Sequence, residues 1–492
     1  MAISVVWLKR DLRLTDHAPL LAASQTGLPV LLLYCFEPIL LNDPHYSARH
    51  WRFVKQSLKD IQQRIPNRSG YWVKADAQQT LATLHRDCNI AHLFSHQEVG
   101  LSNTFERDIA IQRWCAEQDI TWHEEPFGAV VRGLRHRVDW DKNWQTIMRA
   151  PQATVNIGAI NWFTDHTLQS LPLTTRNDVT NYSDMSQLHY DSLPFQYGGE
   201  NAAKATLHSF FEKRGQAYAY SLSSPVLSQT HCSRLSAYLA WGNISLRQAY
   251  QAVLSHWNTP DWRRSLVALS SRLHWHCHFI QKFESECIME FRPVNRGYET
   301  LPRIKGEIAQ QRLQAWQQGR TGIPMVDACM RSLHHSGYLN FRMRAMLVSF
   351  LCHHLGVDWR QGVEHLARLF LDFEPGIHYS QFQMQAGVTG TNTIRIYNPV
   401  KQGQEKDPDG AFVKQWLPEL ACLPECMVHT PWLLTDMEQL MYDFRLGIDY
   451  PEPIVDLKKS YTQAKELLWE WRNRPQVKKE ARRILKRHVR PN

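Results

Sequence analysis

Short apolar runs alternate with amphipathic stretches along the first quarter of the chain. Runs rich in apolar residues predict five strands, at residues 4–8, 28–36, 70–74, 89–95 and 120–124. Apolar residues at helical spacing lie between them, as in residues 47–65 and 101–117. Strands that alternate with helices are typical of a parallel, doubly wound sheet. The pattern therefore predicts a five-stranded α/β domain over residues 1–130.

The pattern changes twice after this domain. Periodicity fades over residues 131–198, and Pro, Asn, Asp, Ser and Thr cluster between Pro172 and Ser192, which predicts a long surface linker. From residue 199 to 492 apolar residues recur at helical spacing, as in residues 264–286 and 341–355. The predicted fold is therefore α/β plus all-α, with a linker and a C-terminal helical domain.

Composition bears on the cellular compartment of the protein and on whether it binds a membrane or a metal. The N-terminal apolar run is interrupted by Lys9, Arg10 and Asp11, and no stretch is long enough to span a bilayer. Ten cysteines are scattered along the chain, so we expect free thiols, a cytoplasmic location and no membrane association. No metal site is expected, because the pairs Cys422/Cys426 and His274/His278 lack further ligands at suitable spacing.

Charge and aromatic content point to a class of ligand. The net charge of +9 favours an anionic partner, since Lys and Arg displace condensed counterions from nucleic acid. The chain also holds 18 Trp, which serve either as extra core or as groups that stack on flat ligands and carry electrons.

Four segments of the helical half carry candidate chemistry. Ser233, Arg234 and Ser236 stand where a helix is expected to begin, which is typical either of a pyrophosphate site or of a plain N-cap. Trp275 lies among polar residues and is either a stacking platform for a base or a core residue.

The two remaining segments supply opposite charges. Asp372 lies in a stretch otherwise suited to burial, and a buried carboxylate needs a cation, for which Arg344 is a candidate. The alternative is an ion pair with a structural role alone.

The order of these segments resembles the photolyase/cryptochrome family over nearly the whole chain. The matching motifs are VVWLKRDLR at 5–13, SRLS at 233–236, TGIP at 321–324, DWR at 358–360, RIYNP at 395–399, KDPDG at 406–410, WLPEL at 416–420 and IDYPEPIVD at 448–456. The resemblance implies a helical domain that holds FAD in a bent conformation. Arg344 would pair with Asp372 beside the isoalloxazine ring, and His378 would lie opposite the flavin N5.

The resemblance also implies roles for individual residues. The cofactor-binding residues would be Tyr220, Cys232, Ser233, Arg234, Leu235, Ser236, Arg344, Asp372, Glu374 and His378. The residues assigned to the photochemistry would be Trp275, Arg344, Trp359, Asp372 and His378. The residues in contact with a DNA lesion would be Arg272, Trp275, Asn340, Phe341 and Met384.

The lesion pocket departs from the family pattern. Relatives that repair cyclobutane dimers often carry Glu at the position of Arg272, Asn at that of Phe341 and Trp at that of Met384. The paired histidines of the animal-type (6-4) enzymes are absent, because Asn340 and Phe341 occupy that place. Lesion recognition is therefore expected to differ in detail.

The electron relay to the flavin is altered as well. The three tryptophans usual in the family fall on Phe382, Trp359 and Gly306, so only one is kept. Because Phe is far harder to oxidise than Trp, we expect slow photoreduction or another route, with Tyr379, Trp316 and Trp359 as stations.

The resemblance leaves two main functions open. The first is blue-light-driven, FAD-dependent repair of pyrimidine dimers in DNA, with cyclobutane dimers favoured and a monomer acting on a flipped-out lesion. The second is a cryptochrome-like photoreceptor that signals through a protein partner. An ordinary flavin oxidoreductase is disfavoured, since G-x-G-x-x-G is absent after the first strand. A second, antenna chromophore (a folate, a deazaflavin or FMN) would lie near His96, Glu98 and Phe105.

Overall fold

A parallel five-stranded sheet forms the N-terminal part of the molecule. The computed structural model describes residues 2–66, 69–164 and 195–489. All strand pairs are parallel and the spatial order is β3-β2-β1-β4-β5, which confirms the predicted fold class. The strands are β1 (Ile3–Trp7), β2 (Val30–Cys35), β3 (Gly70–Val73), β4 (Ile90–His96) and β5 (Thr121–Glu125).

Helices cover both faces of this sheet because its side chains alternate between them. Val5 and Trp7 face one core, which α4 and α5 complete, while Val6 faces the other core, to which α1 and α3 contribute. The helices of this domain are α1 (Ala18–Ser24), α2 (Pro38–Leu41), α3 (Ala48–Gln62), α4 (Ala77–Cys88) and α5 (Ser102–Glu117).

The connection between the domains contains a helix that the sequence reading missed. Helix α6 (Trp140–Arg149) buries Trp140, Trp144 and Met148, which lie one turn apart on a single face. The Trp144 ring packs edge-on against Tyr250 at a centroid distance of 4.8 Å. The polar cluster predicted between residues 172 and 192 falls outside the described residues.

The rest of the chain is helical, as predicted. Helices α12 and α17 pack so closely that a Cβ on Gly376 would lie 2.7 Å from the Ile280 Cα. These helices are α7 (Glu200–Ser209), α8 (Tyr218–Ser221), α9 (Leu227–His231), α10 (Ser236–Ala240), α11 (Leu246–Ser255), α12 (Arg263–Ser285), α13 (Gly306–Gln318), α14 (Pro324–Ser336), α15 (Phe341–Ser349), α16 (Arg360–Leu369), α17 (Pro375–Gln385), α18 (Pro399–Lys406), α19 (Ala411–Trp416), α20 (Asp436–Met441), α21 (Leu457–Arg472) and α22 (Pro475–His488).

The loop after β1 joins the two domains through buried polar contacts. Arg13 donates to the Gly242 carbonyl at 3.0 Å, and the Leu14 N–H donates to Glu200 at 2.7 Å. Arg10 reaches further and pairs with Glu374 at 2.6 Å. Across the described residues, no helix combines the length and apolarity needed to cross a membrane.

Candidate functional site

A cavity of about 290 Å³ opens within the helical domain. Its wall is formed by the loop before α10, by α12, by the start of α15 and by the segment from Phe370 into α17. Its volume lies at the lower end of the range for small-molecule sites, roughly 300–1,000 Å³. The predicted residues on this wall are Cys232, Ser233, Arg234, Leu235, Ser236, Arg272, Asn340, Phe341, Arg344, Asp372, Glu374 and His378.

Arg344 and Asp372 meet on this wall, as the sequence predicted for a cation and a buried carboxylate. The Arg344 Nη2 lies 2.8 Å from the Asp372 Oδ2, and its Nε donates to the Leu339 carbonyl at 2.7 Å. The guanidinium also lies over the Phe370 ring at 3.9 Å. Burial opposes ionisation of Asp372, but the charge and hydrogen bond of Arg344, together with a hydrogen bond from Ser236, outweigh it, so the pKa of Asp372 is lowered. The pair therefore presents a fixed charge pattern to the cavity.

Two arginines fix the conformation of the loop before α10. Arg234 adopts a left-handed backbone conformation with φ of 60°, and its guanidinium lies 3.5 Å from the centroid of the Tyr338 ring. Arg214 donates to the backbone carbonyls of Cys232 and Ser233. Arg214 thereby satisfies two backbone carbonyls of this loop, and both Ser233 and Ser236 line the cavity.

Glu374 lies on the cavity wall but is bound to the other domain. The Arg10 Nη1 donates to its Oε2 at 2.6 Å, and the Gly376 N–H donates to its Oε1 at 3.4 Å. Burial raises the pKa of Glu374, and Arg10 only partly offsets this effect. The ion pair therefore links the α/β domain to the wall of the cavity.

His378 presents a neutral imidazole to the same cavity. Its Nε2 lies 2.9 Å from the Val363 carbonyl, and since a carbonyl only accepts, this nitrogen carries the proton. Burial lowers the pKa of His378 to about 3. The other ring nitrogen, Nδ1, is therefore a hydrogen-bond acceptor.

Four predicted site residues lie off the cavity wall. Tyr220 is 69% exposed, and its hydroxyl accepts from Arg264 at 2.8 Å; the nearby Tyr218 lies on the wall instead. Trp275 is 46% exposed, beside the wall residue Arg272. The other two are Trp359, which is buried behind the wall, and Met384.

The structure also adds wall residues that the sequence reading missed. Gln381 follows His378 by three residues, and His276 follows Arg272 by four, so helical periodicity was a usable signal for both. Tyr338 lies between two helices, and no local pattern marks it.

Several buried polar atoms on the wall lack a partner among the described residues. These atoms include the Asn340 Nδ2, the Gln381 Oε1 and the His276 Nδ1. Buried polar groups are almost always hydrogen-bonded in native proteins. Donors and acceptors left over on an otherwise largely apolar wall fit a large ligand with polar atoms of its own.

Comparison with known proteins shows the family and the cofactor. Residues 268–470 match the FAD binding domain of DNA photolyase, and residues 4–132 match DNA photolyase. The chain belongs to the photolyase/cryptochrome family. FAD is therefore its cofactor, and the leftover donors and acceptors on the cavity wall are consistent with that ligand.

Individual relatives cover almost the full length of this family member. It is 28% identical over 485 residues to the cryptochrome DASH of Gloeobacter violaceus, with 93% of each chain covered. It is 28% identical over 484 residues to the deoxyribodipyrimidine photo-lyase of Escherichia coli, with 94% of this chain and 98% of the relative covered. The solved structure of a Synechocystis cryptochrome superposes with a TM-score of 0.82 at 25% identity, covering 95% of this chain and 99% of that chain.

The region expected to hold an antenna chromophore contains both ion pairs and open space. Glu98 pairs with Arg107 at 2.8 Å beside a cleft of about 30 Å³, and His96 lines a second cavity of about 210 Å³. His96 and His17 both donate hydrogen bonds to the Asp11 carboxylate. The ligand atoms of these three side chains lie close enough together to hold a metal ion, but here the side chains bind one another. The antenna chromophore stays a prediction.

Proposed function

We propose that this protein repairs pyrimidine dimers in DNA with blue light, with cyclobutane dimers as the preferred lesion. The observation that supports this function most directly is the mouth of the FAD cavity, where basic and aromatic side chains stand together. Arg272 and Phe341 lie on the wall, and Trp275 stands beside Arg272. Phe341 is 50% exposed although it is a large apolar residue.

These side chains are suited to a pyrimidine dimer that has been extruded from the duplex. Exposed aromatic faces stack on bases at about 1–3 kcal/mol per base. The guanidinium of Arg272 would pair with a flanking phosphate and position the strand. A damaged base pair stacks poorly, so flipping it into a cavity costs less than flipping an intact pair. We propose that the protein acts as a monomer in this way.

The chain's own residues set the conditions for the chemistry. Reduced FAD supplies one electron after it absorbs light and takes the electron back after the dimer splits. Arg344 and Asp372 would hold the ring in place through fixed charges. His378, neutral with an acceptor at Nδ1, would favour a protonated N5 on the ring opposite it. The mostly apolar wall would exclude water from the electron's path.

A repair assay tests this function directly. The chemically reduced protein is illuminated with duplex DNA that carries either one cyclobutane dimer or one (6-4) product, and the restored bases are quantified by chromatography. We expect loss of the cyclobutane dimer in light and none in the dark. Repair of the (6-4) product alone would overturn the lesion preference, and repair of neither would overturn the enzymatic function.

Substitution of Trp275 tests the proposed DNA contact. Trp275→Ala should weaken binding of dimer-containing DNA by about 1–3 kcal/mol if the indole stacks on a base. Trp469→Ala is a matched control, because Trp469 is similarly exposed but its neighbouring arginine, Arg472, does not line the cavity, whereas Trp275 lies beside the wall residue Arg272. Equal affinities for the two variants in a fluorescence-anisotropy titration would refute the contact.

A photoreceptor function is the second candidate, because two of the similar proteins named above are cryptochromes. Under this function light would change the conformation of the protein or its binding to a partner, without a change in DNA. Limited proteolysis in light and in darkness separates the two functions, since only a sensor requires a light-dependent digestion pattern that persists without DNA.

A further inference from the structure

A buried tyrosine, histidine and aspartate form a hydrogen-bonded chain behind the FAD cavity. The Tyr379 Oη lies 2.6 Å from the His45 Nε2, and the His45 Nδ1 lies 2.7 Å from the Asp43 Oδ1. Tyr379 belongs to the helical domain, whereas His45 and Asp43 belong to the α/β domain. This series of hydrogen bonds therefore forms only when the two domains are docked.

The direction of the hydrogen bonds follows from the chemistry of the three groups. Burial opposes ionisation of Asp43, but the hydrogen bonds from His45 and Asn103 and the charge of His45 together outweigh it, so the pKa of Asp43 is lowered and the carboxylate only accepts. Burial raises the pKa of Tyr379, so its phenol keeps the proton. In the neutral imidazole, Nδ1–H thus donates to Asp43 and Nε2 accepts from Tyr379.

The three groups are held rigidly. Asp43 also accepts from the Asn103 side chain at 2.8 Å, and the His45 ring stacks on Phe373 at a centroid distance of 5.4 Å and an interplanar angle of 12°. Phe373 itself lies on the cavity wall. A proton acceptor is therefore fixed at hydrogen-bond distance from the phenol, as acid–base chemistry requires.

Tyr379 is one aromatic ring away from the cavity. Its ring centroid lies 6.0 Å from that of His378, a wall residue, and 6.3 Å from that of Trp359. Phe382, also on the wall, is hard to oxidise, and Trp359 has no partner for its Nε1 among the described residues. Of these groups, Tyr379 combines proximity to the cavity with an oxidisable ring and a proton acceptor.

We propose that Tyr379 is a redox-active tyrosine that gives its proton to His45 when it is oxidised. One electron leaves the phenol for a photo-oxidant, which in the loaded protein is light-excited oxidised flavin. The O–H bond breaks, and the proton bonds to Nε2 of His45. The products are a neutral tyrosyl radical and an imidazolium paired with Asp43. An external thiolate then reduces the tyrosyl radical and becomes a thiyl radical. At the same time the proton on the His45 imidazolium returns to the phenol oxygen.

Transfer of the proton to His45 allows Tyr379 to be oxidised although it is buried. Oxidation without loss of the proton would leave an unpaired cation in an apolar environment, which is strongly unfavourable. With His45 in place, the positive charge appears on the imidazole, next to the Asp43 carboxylate, where it is compensated. This inference rests on the flavin photochemistry proposed above and assigns a residue that reduces the oxidised flavin before repair begins.

Electron paramagnetic resonance of the illuminated, oxidised holoprotein tests the inference. Protein carrying ring-deuterated tyrosine should give a narrowed radical signal that identifies a tyrosyl radical. Tyr379→Phe should abolish this signal. Tyr250→Phe is the matched control and should retain it. Tyr250 is buried and hydrogen-bonded to Gln145, but its ring packs on Trp144, which does not line the cavity, whereas Tyr379 packs on the wall residue His378. A tyrosyl signal that persists in Tyr379→Phe, or a tryptophan radical alone in the parent protein, would overturn the assignment.

Transient absorption tests the role of the proton acceptor. His45→Asn should slow formation of the radical by roughly 100-fold or more and remove its solvent deuterium isotope effect. If that variant loses flavin, Asp43→Asn provides the same test. Unchanged kinetics in the flavin-loaded variant would leave His45 a structural role only and refute the proton transfer. Repair by chemically reduced protein does not use this step, so the two proposals fail separately.

Discussion

Loss of the Arg10 guanidinium should destabilise the protein more than most single substitutions. Arg10→Met removes the hydrogen bond to Glu374, a side chain only 2% exposed, and leaves that carboxylate with the Gly376 N–H at 3.4 Å. Breaking a buried ion pair on one side costs about 3–5 kcal/mol, because the remaining charge is unpaired. For one cooperative transition of a chain this long, this corresponds to a decrease in Tm of roughly 3–5 °C.

Differential scanning calorimetry at a fixed excess of FAD measures this shift. Glu374→Gln should cost less, because Arg10 keeps the Val99 carbonyl and lies 3.7 Å from Glu98. The double variant Arg10→Met/Glu374→Gln should recover part of the loss, since it holds no unpaired carboxylate.

The pH dependence gives an independent check on the same pair. Burial raises the pKa of Glu374 above its unfolded value, and loss of Arg10 should raise it further. A raised carboxyl pKa means that the folded state binds more protons, so stability falls as the pH rises. The decrease in Tm of Arg10→Met should therefore be larger at pH 8 than at pH 5. A decrease below about 1 °C, or a double variant as unstable as Arg10→Met, would refute the reasoning.

Three further predictions concern the cavity and the domain contact. Asp372→Asn should weaken FAD binding by about 2 kcal/mol or more, because Arg344 loses its counter-charge; an unchanged dissociation constant in a flavin-fluorescence titration would contradict this. Phe382→Trp should accelerate photoreduction, since Trp is more easily oxidised than Phe, and an unchanged rate in transient absorption would exclude position 382 from the relay. Burial opposes ionisation of Glu200, but Arg64 and hydrogen bonds lower its pKa to about 2. Its stabilisation is present above the unfolded value of about 4.5 and is lost as the pH falls toward 2, so the Tm difference between Glu200→Gln and the parent should shrink over that window.

Local patterns determine the class of fold. Apolar residues recur every two residues in a strand and every 3.6 residues in a helix, and these periods depend only on neighbours in the chain. The five strands, the helical second half and the face of α12 that bears Arg272 were therefore predictable. Helix α6 was missed because its three buried apolar residues lie among mostly polar ones over only ten positions. The pairing of Arg344 with Asp372 followed from chemistry, because a buried carboxylate needs a cation.

Contacts between distant segments depend on the tertiary structure alone. Whether Tyr218 or Tyr220 faces the cavity depends on how the short helix α8 packs, and a two-residue difference turns a side chain to the opposite side. Tyr379 and His45 lie 334 residues apart, and no period along the chain relates them. Their hydrogen bond forms because docking of the two domains excludes water from both groups and leaves each as the partner of the other.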